Sequence, residues 1–188
     1  FINLLVLFAV SLAYAETPHA NFIFPAGGQR GTEVEFRIGG CYFHGGADLT
    51  MATEGLTASK RVEQTETLWF DERFVLQPIA SGKLDYPKDH QGTVKIDKKT
   101  ALGTVRWHCQ TPQGVTQPGK FVIGDFPEIV EEEIDAEPTP FLVPKLPMTI
   151  NGRVYPREDV DWWEFDAPEG ETVVCEVVST QLGYPLQP

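Results

Sequence analysis

The sequence predicts an all-β chain of stacked, largely antiparallel sheets, and three observations carry that prediction. Across residues 32–38, Val34, Phe36 and Ile38 alternate with Glu33, Glu35 and Arg37. A period of two puts the apolar side chains on one face and the charges on the other, the mark of a half-buried strand. The same alternation returns in short runs separated by glycine and proline clusters, the spacing of a sandwich. No stretch sustains the 3.6-residue period of an amphipathic helix.

Taken in order, residues 21–24 form a first edge strand stopped by Pro25. The glycines at 27, 28 and 31 then supply a tight connection. A phosphate loop would need a Lys and a Ser or Thr after its last glycine, whereas Gly31 is followed by Thr32. The central strand closes at Gly39 and Gly40, a natural bulge, and the glycine-rich residues 41–49 read as a loop. Alternation resumes at 56–64 and 67–79; 81–91 is a polar loop around Pro87, and Val94 and Ile96 mark another strand. In 104–109, Val105, Trp107 and Cys109 share one face and Thr104, Arg106 and His108 the other. Gln113 and Gly114 turn the chain into a closing strand over 115–123. Seven or so short strands in about 100 residues define an immunoglobulin-like sandwich over 16–123. An acidic, proline-bearing linker follows over 124–143. Residues 144–188 then hold three strands, at 148–154, 161–166 and 172–179, the last two joined by a turn at 167–170. Three strands do not readily close a core, so this unit is expected to be incomplete.

Residues 1–15 are apolar and end in Ala13-Tyr14-Ala15, as does a secretory signal peptide ahead of its cleavage site. The basic leader of such a peptide is expected upstream. Fifteen apolar residues fall short of the roughly 20 that span a bilayer, so the mature chain is expected to be exported with no membrane span. The formal net charge of −12 opposes nucleic-acid binding. Seven carboxylates and no Lys or Arg lie between Asp125 and Glu137. A solvated linker is the plain reading; a calcium-binding segment is the sharper one, since hard cations collect carboxylate oxygens.

The stretches FPAGGQRGTEVEFRIGG, ALGTVRWHCQTPQGV and FVIGDFPEIVEEE resemble the IPT/TIG-like immunoglobulin module near the N-terminus of large exported planctomycete-type bacterial proteins. The later NGRVYPREDVDWWEFDAPEGETVVCEVVSTQLGYPL is similar to the opening of a bacterial pre-peptidase C-terminal (PPC) domain. Together they cover nearly all of the chain after residue 15, with scaffold motifs rather than catalytic ones. The resemblance implies a secreted, non-catalytic module of a larger protein, attached to other domains of peptidase or cytochrome type. Some relatives bind calcium through an acidic E-P-N-[DN] linker. Here Glu137-Pro138 is present without the following Asn-Asp.

Export makes a disulfide between Cys41 and Cys109 the first candidate site. Its long loop would contribute about 4 to 5 kcal/mol in the chain-entropy model, before strain. Cys41 is out of phase with Phe36 and Ile38, so a bulge at Gly39-Gly40 must turn it inward. A zinc site from Cys41, His44, His108 and Cys109 is the rival, but His108 and Cys109 are adjacent on a strand and face opposite ways. Cys175 is expected to be a buried, inert thiol. Glu137, Asp159 and Asp161 are the calcium candidates. Asp159 and Asp161 also suit paired acid–base work or a plain turn cap. Trp163, in phase with Phe165, is expected in the core, and Trp162, facing the other way, is placed to stack on a sugar or a partner. The sequence lacks G-x-S-x-G and H-E-x-x-H. Three functions follow as expectations: a non-catalytic interaction module, the non-catalytic part of a secreted peptidase, or a calcium-dependent carbohydrate- or matrix-binding module contacting extracellular protein or polysaccharide.

Overall fold

The structure, a computed structural model, describes residues 16–51, 53–66, 88–131, 140–153 and 160–183. The expected segments at 1–15 and 67–79 lie outside these residues. Among the described residues fourteen strands run in order: β1 (His19–Phe24), β2 (Gly27–Gln29), β3 (Glu33–Cys41), β4 (Gly46–Met51), β5 (Leu56–Ala58), β6 (Arg61–Gln64), β7 (Lys88–Ile96), β8 (Gly103–Thr111), β9 (Gly114–Val115), β10 (Gly119–Gly124), β11 (Glu128–Val130), β12 (Phe141–Val143), β13 (Thr149–Asn151) and β14 (Trp163–Phe165). A single 3₁₀ turn, Thr180–Leu182, is the only helical element among the described residues. The chain is all-β, as its alternation predicts.

The first ten strands form one hydrogen-bonded sheet in the order β1-β3-β7-β6-β4-β8-β10-β2, with β5 added to β7 and β9 to β8. The sheet folds over so that β1 approaches β10, giving the two facing layers of a sandwich. Phe36, Ile38, Val94 and Ile96 from one limb meet Leu49, Trp107, Phe121 and Ile123 from the other. Phe36, Trp107 and Phe121 are wholly buried. Each such side chain contributes about 1.5 to 3 kcal/mol of transfer free energy.

Several elements differ from expectation, each for a visible reason. The glycine cluster at 27–28 is a strand rather than a turn, because β2 pairs in parallel with β10. A Cβ on Gly28 would sit 2.6 Å from Val34 Cγ2 and 2.7 Å from Ile96 Cδ1, so only glycine lets β2 lie over the core. The chain thus crosses between limbs at Pro25, from β1 against β3 to β2 against β10. The expected loop at 41–49 contains β4, whose Ala47, Leu49 and Met51 alternate into the core between charged or polar positions. The expected polar loop at 81–91 ends early: β7 starts at Lys88, and its Asp89, His90 and Gln91 keep ladder positions against β3. Polar side chains hide this half-strand from a pattern search.

The acidic stretch 124–143 is not simply a solvated linker. Its Glu128–Val130 pairs in parallel with Thr149–Asn151, and Phe141–Val143 pairs in parallel with Trp163–Phe165. The start of this stretch is also tied to the sandwich. Arg30 makes a 2.8 Å ion pair with Asp125, and Gln29 Nε2 donates to the Asp125 carbonyl at 2.9 Å. Asn151 accepts from the Ala26 amide at 3.1 Å and donates to Glu128 at 2.8 Å.

The strand expected at 172–179 does not form, and Cys175 is exposed rather than buried. The turn before it is of a kind that does not favour a hairpin. Glu171 N donates to Pro168 O at 3.2 Å, with Gly170 at φ 82° in the third position. A left-handed residue there belongs to a type II turn, whose twist splays the flanking segments instead of pairing them.

Candidate functional site

Two places gather side chains capable of contact with another molecule. The first is a cleft of about 240 Å³ where β3 leaves the sheet and β7 enters it, lined by Gly40, Tyr42, Phe43, His44, Gln64, Lys88 and His90. Its rim is the connection between β3 and β4. Tyr42 and His44 take left-handed backbone angles, φ 61° and 51°, followed by Gly45 at 98°. Such angles cost of order 1 to 3 kcal/mol at a non-glycine residue. The Gly46 amide on the Phe43 carbonyl at 3.1 Å and the Gln64 amide on the Gly45 carbonyl at 2.9 Å hold the turn in place.

His90 forms the floor. It is 1% exposed and its ring lies 4.7 Å from that of Phe43. Its Nδ1 is 2.8 Å from the Lys88 carbonyl, an acceptor, so Nδ1 carries the proton. Nε2 is buried without a hydrogen-bond partner of good geometry. Burial pushes the imidazole below its ordinary pKa, against the upward pull of the Lys88 and Ile38 carbonyls. On the other face of β7, Asp89 is buried beside Arg37, whose guanidinium donates to Thr65 Oγ1 at 2.6 Å. Desolvation lowers the Arg37 pKa while Asp89 and Glu35 oppose the shift. The cleft is rich in hydrogen-bond donors and its lining holds no serine, threonine or cysteine. Sequence reasoning missed it because its residues come from a connection and from the polar half-strand.

The second place is the outer face of the β12–β14 pair. Its register aligns Phe141 with Trp163, Leu142 with Glu164 and Val143 with Phe165. Phe141 and Trp163 therefore share a face, and their rings stack at 4.9 Å; Val143 on that face is buried. Leu142, Glu164 and, two residues earlier, Trp162 share the opposite face. There Leu142 is 69% exposed, Trp162 58% and neighbouring Val160 67%. Trp162 is thus exposed, and Trp163 is half-buried against Phe141.

The Cys41–Cys109 bridge is not formed. The irregularity that was needed in β3 lies instead in β1, between Ala20 and Phe22, while the β3–β7 ladder runs without a break from Glu33 to Gly40. Cys41 therefore keeps the phase that points it away from Phe36 and Ile38. It is buried with Sγ 3.8 Å from Asn21 Oδ1, whereas Cys109 sits in the central core. Burial raises the Cys109 thiol to about 12, leaving it inert at neutral pH. No group of three or more His, Cys, Asp or Glu side chains among the described residues is arranged to hold a metal ion. The zinc set of Cys41, His44, His108 and Cys109 is not assembled. Of the calcium candidates, Asp161 is half-buried ahead of β14, and Glu137 and Asp159 lie outside the described residues.

No family model matches the chain, and no curated protein or solved structure matches it.

Proposed function

We propose that this chain is a non-catalytic, exported β-sandwich module of a larger secreted or envelope protein, and that it works by holding or touching other macromolecules. The observation that carries the reading is the exposed apolar face of Leu142, Val160 and Trp162, because apolar side chains grouped in water mark a contact surface. The leader-like residues 1–15 and the resemblance to IPT/TIG and PPC modules support export and attachment to other domains. Membership of a secreted peptidase, as its non-catalytic part, is compatible with the same face.

The test is fractionation and chemical cross-linking in the cells that make the protein. The expected result is recovery outside the cytoplasm, cross-linked to another macromolecule through residues 140–183. Turnover of peptide or ester substrates by the purified chain, lost on His90→Ala, would overturn the reading in favour of an enzyme. Exposure of Trp162 also favours a second reading, carbohydrate contact aided by calcium. On that reading, millimolar calcium raises the melting temperature of the full chain, and an unchanged melting curve removes it.

A further inference from the structure

We infer that the open edge of β14, with the Leu142–Trp162 face beside it, accepts an added strand from a partner whose apolar residues alternate with lysine or arginine. The inference rests on the reading of this chain as an interaction module and names the site and the chemistry of its partner.

Four observations lead to it. A two-stranded sheet standing alone is marginal in water, and among the described residues β14 has only β12 as a ladder neighbour. Among the described residues its second edge has no ladder partner, and such an edge is the template that strand addition uses. The chain's own next segment does not take that edge, since residues 172–179 form no strand and no ladder with β14. Those residues are left with Val174 83% and Val177 75% exposed.

The face beside the edge carries the exposed side chains of Leu142, Val160 and Trp162 together with Glu164. An aromatic anchor of this kind is the usual source of binding free energy at an interface. Finally, residues 160–183 contain six carboxylates (Asp161, Glu164, Asp166, Glu169, Glu171 and Glu176) and no Lys, Arg or His. The partner must therefore be cationic. A second copy of this chain would bring the same acidic segment to the contact and be repelled. A neutral polysaccharide would satisfy Trp162 but not the open backbone edge.

The experiment uses the full chain and two synthetic heptapeptides, one alternating lysine with valine and one alternating glutamate with valine. Amide exchange across residues 160–183 is followed by NMR at physiological salt. The lysine–valine peptide should slow exchange at Trp163 and Phe165, whose amides face away from β12, and the glutamate–valine peptide should leave it unchanged. Trp162→Ala should weaken binding about tenfold, the loss of an aromatic hot spot. It should leave the melting temperature unchanged, since the ring is mostly in water. Glu164→Lys should weaken the lysine–valine peptide and spare the fold.

Equal effects of the two peptides, or no protection at Trp163 and Phe165, would overturn the inference. So would an unaltered affinity in Trp162→Ala. Protection that rises with protein concentration alone assigns the face to a second copy, and protection by dextran assigns it to carbohydrate; either result also overturns it. Failure here with export and cross-linking intact removes only the edge assignment. Substrate turnover would remove the module reading itself.

Discussion

His90 illustrates how one buried side chain couples the fold to pH. Its imidazole is held below the ordinary value near 6.5, first by burial. Above that pH the ring is neutral whether the chain is folded or not, and its contribution is constant. Below it the unfolded chain takes up a proton that the folded chain resists. Stability is therefore lost as pH falls from about 6.5 toward the depressed folded value. Glu128 acts in the opposite sense: burial raises its carboxyl while the Asn151 hydrogen bond opposes the rise. Falling pH through that raised value relieves the cost of a buried charge. The urea midpoint of the wild-type chain should thus drop between pH 7 and pH 5.5, and His90→Gln should flatten that drop. An unchanged slope in the variant would show that the imidazole is solvated. The cysteines carry a related lesson. Cys109 was legible as an inward residue from its phase with Val105 and Trp107. The fate of Cys41 was not legible, since it depends on which of two paired strands holds the bulge.

Among the elements, the short parallel pair of β11 and β13 carries more than its length suggests. Asn151 lies 9% exposed between the Ala26 amide and the Glu128 carboxylate. The Glu131 carboxylate, itself 3% exposed, accepts from the Arg153 amide at 2.6 Å. Arg153 in turn lies 5.3 Å over the ring of Phe24. Replacing Asn151 with Ala leaves Ala26 N and Glu128 without their side-chain partner. It should cost about 1 to 3 kcal/mol, the penalty of unsatisfied buried groups. The loss should register as faster amide exchange at Ala26. Exchange at Ala26 as slow as in the wild type would mean that the contact adds nothing. None of these contacts was visible in the sequence, where Glu128 and Glu131 read as part of a solvated acidic run and Asn151 and Arg153 as part of a strand at 148–154. Composition reports charge, whereas partners as distant as Ala26 and Asn151 are set by the fold. The strands β3, β8 and β10 were legible because buried apolar residues recur at every second position of each. The half-strand at Lys88–Gln91 was not, because its buried residues are polar.

At the scale of the whole molecule, the all-β class and the sandwich character followed from alternation alone. The single folded-over sheet did not, since it depends on the short strand β6 joining two limbs through only a few ladder positions. The core is shared between the limbs, and Trp107 is its largest fully buried side chain. Gly119 lets β10 close over it, a Cβ there falling 2.3 Å from the indole. Trp107→Ala should therefore cost about 3 to 5 kcal/mol and loosen both limbs together, so that one denaturation transition moves as a unit. Two separated transitions in the variant would show that the limbs fold independently.

The crossing of the chain at Pro25 has a mechanical consequence. The residue bonded to Asn151 is Ala26, at the point where the backbone passes from one limb to the other. A pull applied beyond residue 153 therefore meets, besides the backbone and the β11–β13 ladder, the Asn151–Ala26 hydrogen bond at the seam of the fold, where β1 and β2 lie against different strands. A tether anchored at such a seam pulls on the crossing point rather than on the free edge of either layer.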